Sequence, residues 1–72
     1  MHRERVQSQA LRSVGYDPRR RILEVEFAGG NVYRYADVDA DVHAGLMTAP
    51  SLGEYFSRHI RDAGYEYEQV DA

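Results

Sequence analysis

The feature that most constrains the fold is a short run of strict alternation, ILEVEF at residues 22–27, with a turn signal on each side. Leu23, Val25 and Phe27 fall on one face and Glu24 and Glu26 on the other, which is the period of a half-buried β-strand. Asp17-Pro18 upstream and Gly29-Gly30 downstream are residue pairs typical of tight turns. This part of the chain is therefore predicted to form three antiparallel strands joined by two hairpins.

The second hairpin can pair in two registers, which differ in the length of the glycine loop. A two-residue loop of Gly29 and Gly30 places Val25 opposite Arg34 and brings a guanidinium onto the apolar face. Burying an unpaired charge is costly, which disfavours this register.

A three-residue loop that also includes Asn31 gives better side-chain pairing. Its pairs are Phe27 with Tyr33, Val25 with Tyr35 and Glu26 with Arg34. Apolar groups then meet on one face and opposite charges on the other. We predict this register, with both tyrosines in the core and the arginine between them outside.

Two helices and a last strand follow the hairpins. A helix with Asp39 at its N-cap ends before Pro50, and Ser51 opens a second helix in a capping box. Gly64 is typical of the residue after a helix, and YEYEQV at residues 65–70 alternates again. The order β-β-β-α-α-β predicts an α+β fold, an antiparallel three- to four-stranded sheet with two helices packed on one face.

Composition narrows the class of protein. A chain of 72 residues is at most one domain. Residues 1–10 show no clear periodicity, and residues 1–8 are expected to be loosely ordered. There is no cysteine, no membrane-length apolar run and no apolar stretch typical of a signal peptide, so we expect a cytoplasmic protein. The net charge of −3 weakens a general nucleic-acid role, because such binding depends on neutralising phosphates.

No set of residues indicates catalysis or a cofactor. His2, His43 and His59 are too scattered for a metal signature, and no nucleophile motif is present. We expect no enzyme activity, no cofactor and no bound metal.

The arginines offer one candidate binding surface. Arg19, Arg20 and Arg21 form the only basic run, at the tip of the first hairpin, and Arg34 lies on the open face of the sheet. These four residues are the predicted contacts for a nucleic acid.

Several short motifs, in order, resemble the KTSC domain, a small bacterial domain found alone and at the C-terminus of some lysyl-tRNA synthetases. They are Tyr16-Asp17-Pro18, LEVEF, a glycine turn, Tyr33-x-Tyr35, APSLGEYF and Ile60-Arg61. The resemblance maps the family motif onto Tyr33, Tyr35, Ser51, Gly53 and Phe56. It implies a single domain over residues 1–72 with no established activity.

Two functions remain open at this stage. The chain is expected to be a small interaction module that binds a protein partner or a second copy of itself. The alternative, which the synthetase fusion suggests, is an accessory domain that binds RNA.

Overall fold

The structure, a computed structural model, describes residues 2–70 as a five-stranded sheet with two α-helices. The strands are β1 (Glu4–Arg5), β2 (Leu11–Asp17), β3 (Ile22–Phe27), β4 (Val32–Tyr35) and β5 (Tyr67–Val70). The helices are α1 (Ala40–Thr48) and α2 (Leu52–His59), and a 3-10 turn, Arg61–Ala63, follows α2. The predicted α+β class is confirmed, with five strands in place of three or four.

The strands lie in the sheet in chain order, and each neighbouring pair is antiparallel. β1 and β5 are therefore the two edges. Both helices cover one face of the sheet. Phe56 of α2 packs edge-on against Phe27 and Tyr35, with ring centroids 5.5 and 5.6 Å apart, and His43 of α1 stacks on Tyr16 at 4.7 Å.

The hydrophobic core lies between this face and the helices. Leu23 and Val25 of β3, Leu46 of α1 and Ile60 beyond α2 are all fully buried. Burying an aliphatic side chain of this size contributes about 1.5–3 kcal/mol. The alternating face of ILEVEF thus forms the centre of the core, as the sequence predicts.

The register of the β3–β4 hairpin differs from the prediction by two residues. The observed pairs are Leu23 with Tyr35, Glu24 with Arg34, Val25 with Tyr33 and Glu26 with Val32. The loop has three residues, as expected, but they are Ala28, Gly29 and Gly30, because the N–H of Phe27 donates to the carbonyl of Asn31 at 2.8 Å. Gly30 takes the left-handed position with φ of 98°, which a glycine adopts at less cost than Asn31.

The shift by two residues leaves every side chain on its predicted face, because the side-chain period of a strand is two. Its consequence is a different partner for the arginine. Arg34 stands opposite Glu24 and not opposite Glu26.

The N-terminal segment pairs with the sheet, which the sequence does not predict. Glu4 lies opposite Val14 and Arg5 opposite Ser13, and the N–H of Val6 donates to the carbonyl of Arg12 at 3.0 Å. A strand of two residues is too short to show alternation, so its pattern cannot be recognised. Met1 lies outside the described residues.

The predicted helix ends are close to those observed. The Ser51 hydroxyl accepts a hydrogen bond from the N–H of Glu54 at 3.3 Å, as expected of an N-cap. Asp39 occupies the N-cap of α1, but its carboxylate pairs with Arg21 and makes no capping bond. Gly64 follows the 3-10 turn with φ of 86°, the left-handed conformation that ends a helical segment.

Candidate functional site

A recess of about 360 Å³ lies on the helix-side face of the sheet, at the β5 edge. We call it the tyrosine recess. It is lined by Phe27, Asn31, Tyr33, Tyr35, Arg61 and Tyr67. Aromatic rings dominate this lining, and among residues 2–70 Arg61 is the only charged residue in it.

The strand register explains why the tyrosines meet. Tyr33 and Tyr35 alternate along β4 and so share a face, and Tyr67 of β5 stands directly opposite Tyr35. The ring of Tyr67 stacks on Tyr33 at 5.7 Å with an interplanar angle of 18°, and lies 5.4 Å from Tyr35. Phe27 closes the other side, edge-on to Tyr33 at 5.4 Å. These distances are typical of favourable aromatic pairs.

The recess runs from the core to the solvent. Tyr35 is only 4% exposed, whereas Tyr67 is 62% exposed. Burial raises the pKa of the Tyr35 hydroxyl, Tyr67 and Tyr33 raise it further, and Arg61 opposes them. Tyr35 is therefore a neutral wall of the recess at physiological pH, and Tyr67 is the ring that a ligand would meet first.

The backbone of β5 adds hydrogen-bonding groups beside the recess. The N–H of Ala36 donates to the carbonyl of Glu66 at 2.8 Å, so Glu66 turns its carbonyl toward β4. In an antiparallel pair the residues alternate between bonding to the partner strand and facing away from it. Glu68 therefore bonds toward β4, and the backbone groups of Tyr67 and Gln69 face the open edge.

The four arginines predicted to bind nucleic acid do not form one free patch. Arg34 pairs with Glu24 at 2.7 Å on the uncovered face, and Arg21 pairs with Asp39. Arg20 lies 4.0 Å from Asp17, and Arg19 makes no ion pair within residues 2–70. Residues 2–70 form seven ion pairs in all, and each pair uses a different arginine. Most of the guanidinium charge is therefore already balanced by a carboxylate.

The residues of the family motif have visible structural roles. Ser51 caps α2, and Phe56 is 3% exposed within the core. Gly53 lies at the start of α2, where an added Cβ would contact Ala10 at 3.6 Å. Tyr33 and Tyr35 also line the tyrosine recess.

Sequence reasoning missed a charged cluster on the uncovered face. Glu24 is 3% exposed and accepts hydrogen bonds from Arg3 at 2.6 Å and Arg34 at 2.7 Å. Burial alone would raise its pKa, but the hydrogen bonds from Arg34 and Arg3 outweigh burial and hold the pKa of Glu24 below its ordinary value. The cluster was not predictable because Arg3 comes from a segment without periodicity.

No helix of residues 2–70 is long and apolar enough to cross a bilayer. The same residues bring together no group of three or more side chains of the metal-binding types.

The fold places the chain in a class of small α+β domains, in which a five-stranded antiparallel sheet carries two helices on one face. Within that class, the KTSC domain profile matches residues 7–67, and the chain belongs to the KTSC domain family. A solved structure of a KTSC domain protein from Yersinia pestis superposes with a TM-score of 0.89 at 32% identity, over 97% of each chain.

Two relatives contain the matching region in chains of very different length. An uncharacterized protein of Stutzerimonas stutzeri is 45% identical over 71 residues, which cover 99% of this chain and all of that protein. A lysine–tRNA ligase of a Nostoc species is 35% identical over 60 residues, 83% of this chain but only 10% of the ligase. The family resemblance read from the sequence is confirmed.

Proposed function

We propose that the chain is a non-enzymatic protein-interaction module that binds an extended segment of a partner along β5. The observation that carries the proposal is Tyr67, a large ring that is 62% exposed on an edge strand and lines the tyrosine recess. An exposed strand edge is a template for another strand, and pockets beside it select alternate side chains.

The backbone edge of β5 and the tyrosine recess would make different contacts with the partner segment. The N–H and C=O groups of Tyr67 and Gln69 would supply backbone hydrogen bonds to an added strand. The recess would receive a partner side chain against Tyr33 and Tyr67, whose rings are already stacked. Tyrosines are enriched at protein interfaces because they contribute large contact areas at low entropic cost.

A catalytic role finds less support at the same surface. The Tyr35 hydroxyl is neutral at neutral pH, and burial moves its pKa still further above that range. On the other face Glu24 is ionised at neutral pH, and hydrogen bonds from Arg34 and Arg3 hold its pKa below the ordinary value, so it is poorly suited to accept a proton. We place the module in the cytoplasm, as expected for a chain without a disulfide framework.

RNA binding is a second candidate, which the lysine–tRNA ligase relatives favour by name. In that case bases would stack on Tyr67 and Tyr33, with Arg61 beside them to contact phosphate. The charge distribution gives less support, because Arg61 lies 3.4 Å from Asp62. The candidate contacts Arg19, Arg20, Arg21 and Arg34 stay a prediction of this alternative.

The test is a titration of isotopically labelled chain, followed by backbone NMR. One arm uses a panel of short extended peptides and the other a mixed single-stranded RNA, each at low and moderate salt. The proposal predicts saturable peptide binding that shifts the amides of Tyr67 and Gln69. Binding of RNA alone, with shifts at Arg19 to Arg21 and a steep salt dependence, would replace the proposal with the alternative.

A further inference from the structure

The side chains of β5 carry a charge pattern that defines the kind of segment it would accept. Glu66 and Glu68 lie on the face opposite the tyrosine recess, and both are exposed. Neither makes an ion pair within residues 2–70. Arg34, which stands directly opposite Glu68, is held by Glu24 at 2.7 Å.

We infer that the partner segment is a strand in which basic side chains alternate with apolar or aromatic ones. This inference rests on the proposed function and names its ligand. Basic side chains would face Glu66 and Glu68, and the apolar side chains between them would cover Tyr67 and enter the recess. Both requirements follow from the alternation of a strand, since successive side chains point to opposite faces.

The backbone geometry makes Glu68 the position that discriminates charge. Tyr67 and Gln69 direct their backbone groups to the edge, so they would form the hydrogen-bonded pairs with an added antiparallel strand. Glu68 would then sit in a non-hydrogen-bonded pair, where Cα atoms are about 4.5 Å apart and side chains come closest. Opposite charges there stabilise the pairing and like charges destabilise it.

The same geometry disfavours a second copy of this chain as the occupant. Antiparallel pairing of two β5 strands with Tyr67 opposite Gln69 places Glu68 against Glu68. Pairing with Tyr67 opposite Tyr67 places Glu66 against Glu68. Each register brings carboxylates together on one face, so a different protein fits the edge better than a second copy does.

The experiment compares three peptides of equal length by calorimetry and NMR. The first alternates arginine with leucine, the second replaces each arginine by glutamate, and the third has the composition of the first with arginines and leucines in separate blocks. We expect the first to bind best and to shift Tyr67 and Gln69. Glu68→Lys should weaken it about three- to tenfold and favour the glutamate peptide. Glu4→Lys, the same charge reversal on edge strand β1, should change neither.

The outcomes separate the inference from the proposed function. Equal binding of the two alternating peptides at Tyr67 and Gln69 overturns the charge pattern and leaves strand addition standing. Better binding of the glutamate or the block peptide also overturns it. Binding of none of the peptides at β5 contradicts both. In light scattering a monomer is the result expected of an edge that repels its own copy, whereas a wild-type dimer formed through β5 overturns the inference.

Discussion

Arg3 reaches across strand β2 to donate a hydrogen bond of 2.6 Å to Glu24 on β3. The strand between them presents Gly15, which pairs with Glu24 in the sheet. A Cβ at Gly15 would lie 2.6 Å from the carbonyl oxygen of His2 and 3.0 Å from the Cγ of Arg3. The absence of a side chain at position 15 is therefore what lets the N-terminal segment lie across the uncovered face.

The first prediction concerns the carboxylate itself. Glu24→Gln should lower the free energy of unfolding by about 1–3 kcal/mol, because it removes the buried negative charge that two guanidinium groups share and replaces one of its two acceptor oxygens by an NH2 donor. Glu26→Gln is the matched control, since Glu26 is more exposed and its arginine, Arg12, is 3.9 Å away. We expect the control to lose less than about 1 kcal/mol. Urea unfolding measures both, and equal losses would contradict the role assigned to Glu24.

A second prediction follows from the lowered pKa of Glu24. A carboxyl whose folded pKa is below its unfolded value contributes stability above the unfolded pKa and loses it as the pH falls through the folded pKa. The stability difference between wild type and Glu24→Gln should therefore be full at pH 7 and shrink below about pH 4.3. Urea unfolding of both proteins at a series of pH values measures this stability difference. A difference that stays constant down to pH 3 would show that the pKa is not lowered.

A third prediction tests the close approach at Gly15. Gly15→Ala should displace the N-terminal segment and cost about 1–3 kcal/mol, while Gly29→Ala, with nothing within 4 Å of the added Cβ, should be nearly neutral. In the Gly15→Ala background, Arg3→Ala should have little further effect, because the ion pair is already lost. Fully additive losses in urea unfolding would mean that Arg3 and Gly15 act independently.

A fourth prediction separates two tyrosines of the recess. Tyr35→Ala should lose about 3–5 kcal/mol of stability, as expected for a large buried ring, whereas Tyr67→Ala should lose less than about 1 kcal/mol. Tyr67→Ala should instead weaken binding of the partner segment, because the exposed Tyr67 ring lines the recess that would receive it. A near-neutral Tyr35→Ala would contradict the placement of β4 against the core.

The sequence predicts the faces of this fold better than its pairings. Alternation at residues 22–27 places Val25 in the core whatever the register, because each face repeats every two residues. The register itself depends on which residue takes the left-handed position of the loop, and Gly30 and Asn31 are both suited to it. Because Gly30 takes this position, Arg34 pairs with Glu24 and not with the predicted Glu26.

The candidate site was less predictable than the core. The Tyr33-Arg34-Tyr35 triplet correctly indicates rings on one face and an arginine on the other. That Tyr67 joins those rings depends on where the last strand docks, which no local pattern contains. Pairing of β5 with β4 is a long-range contact, and it creates both the tyrosine recess and the open edge.

The most direct test of strand addition is a backbone block at the edge. In Gln69→Pro the N–H that faces solvent is removed, and pairing toward β4 is kept because the bonds to β4 come from Glu66 and Glu68. Gln69→Ala is the control, since it keeps the N–H and loses only the weak side-chain contact with Asn31 at 3.4 Å.

The measurement is the affinity of the arginine–leucine peptide for wild type, Gln69→Pro and Gln69→Ala, with circular dichroism to confirm the fold of each. We expect Gln69→Pro to weaken binding at least about tenfold and Gln69→Ala to bind nearly as wild type does, since each lost backbone hydrogen bond leaves a partner group unpaired. Equal affinity of all three folded proteins would contradict binding along β5.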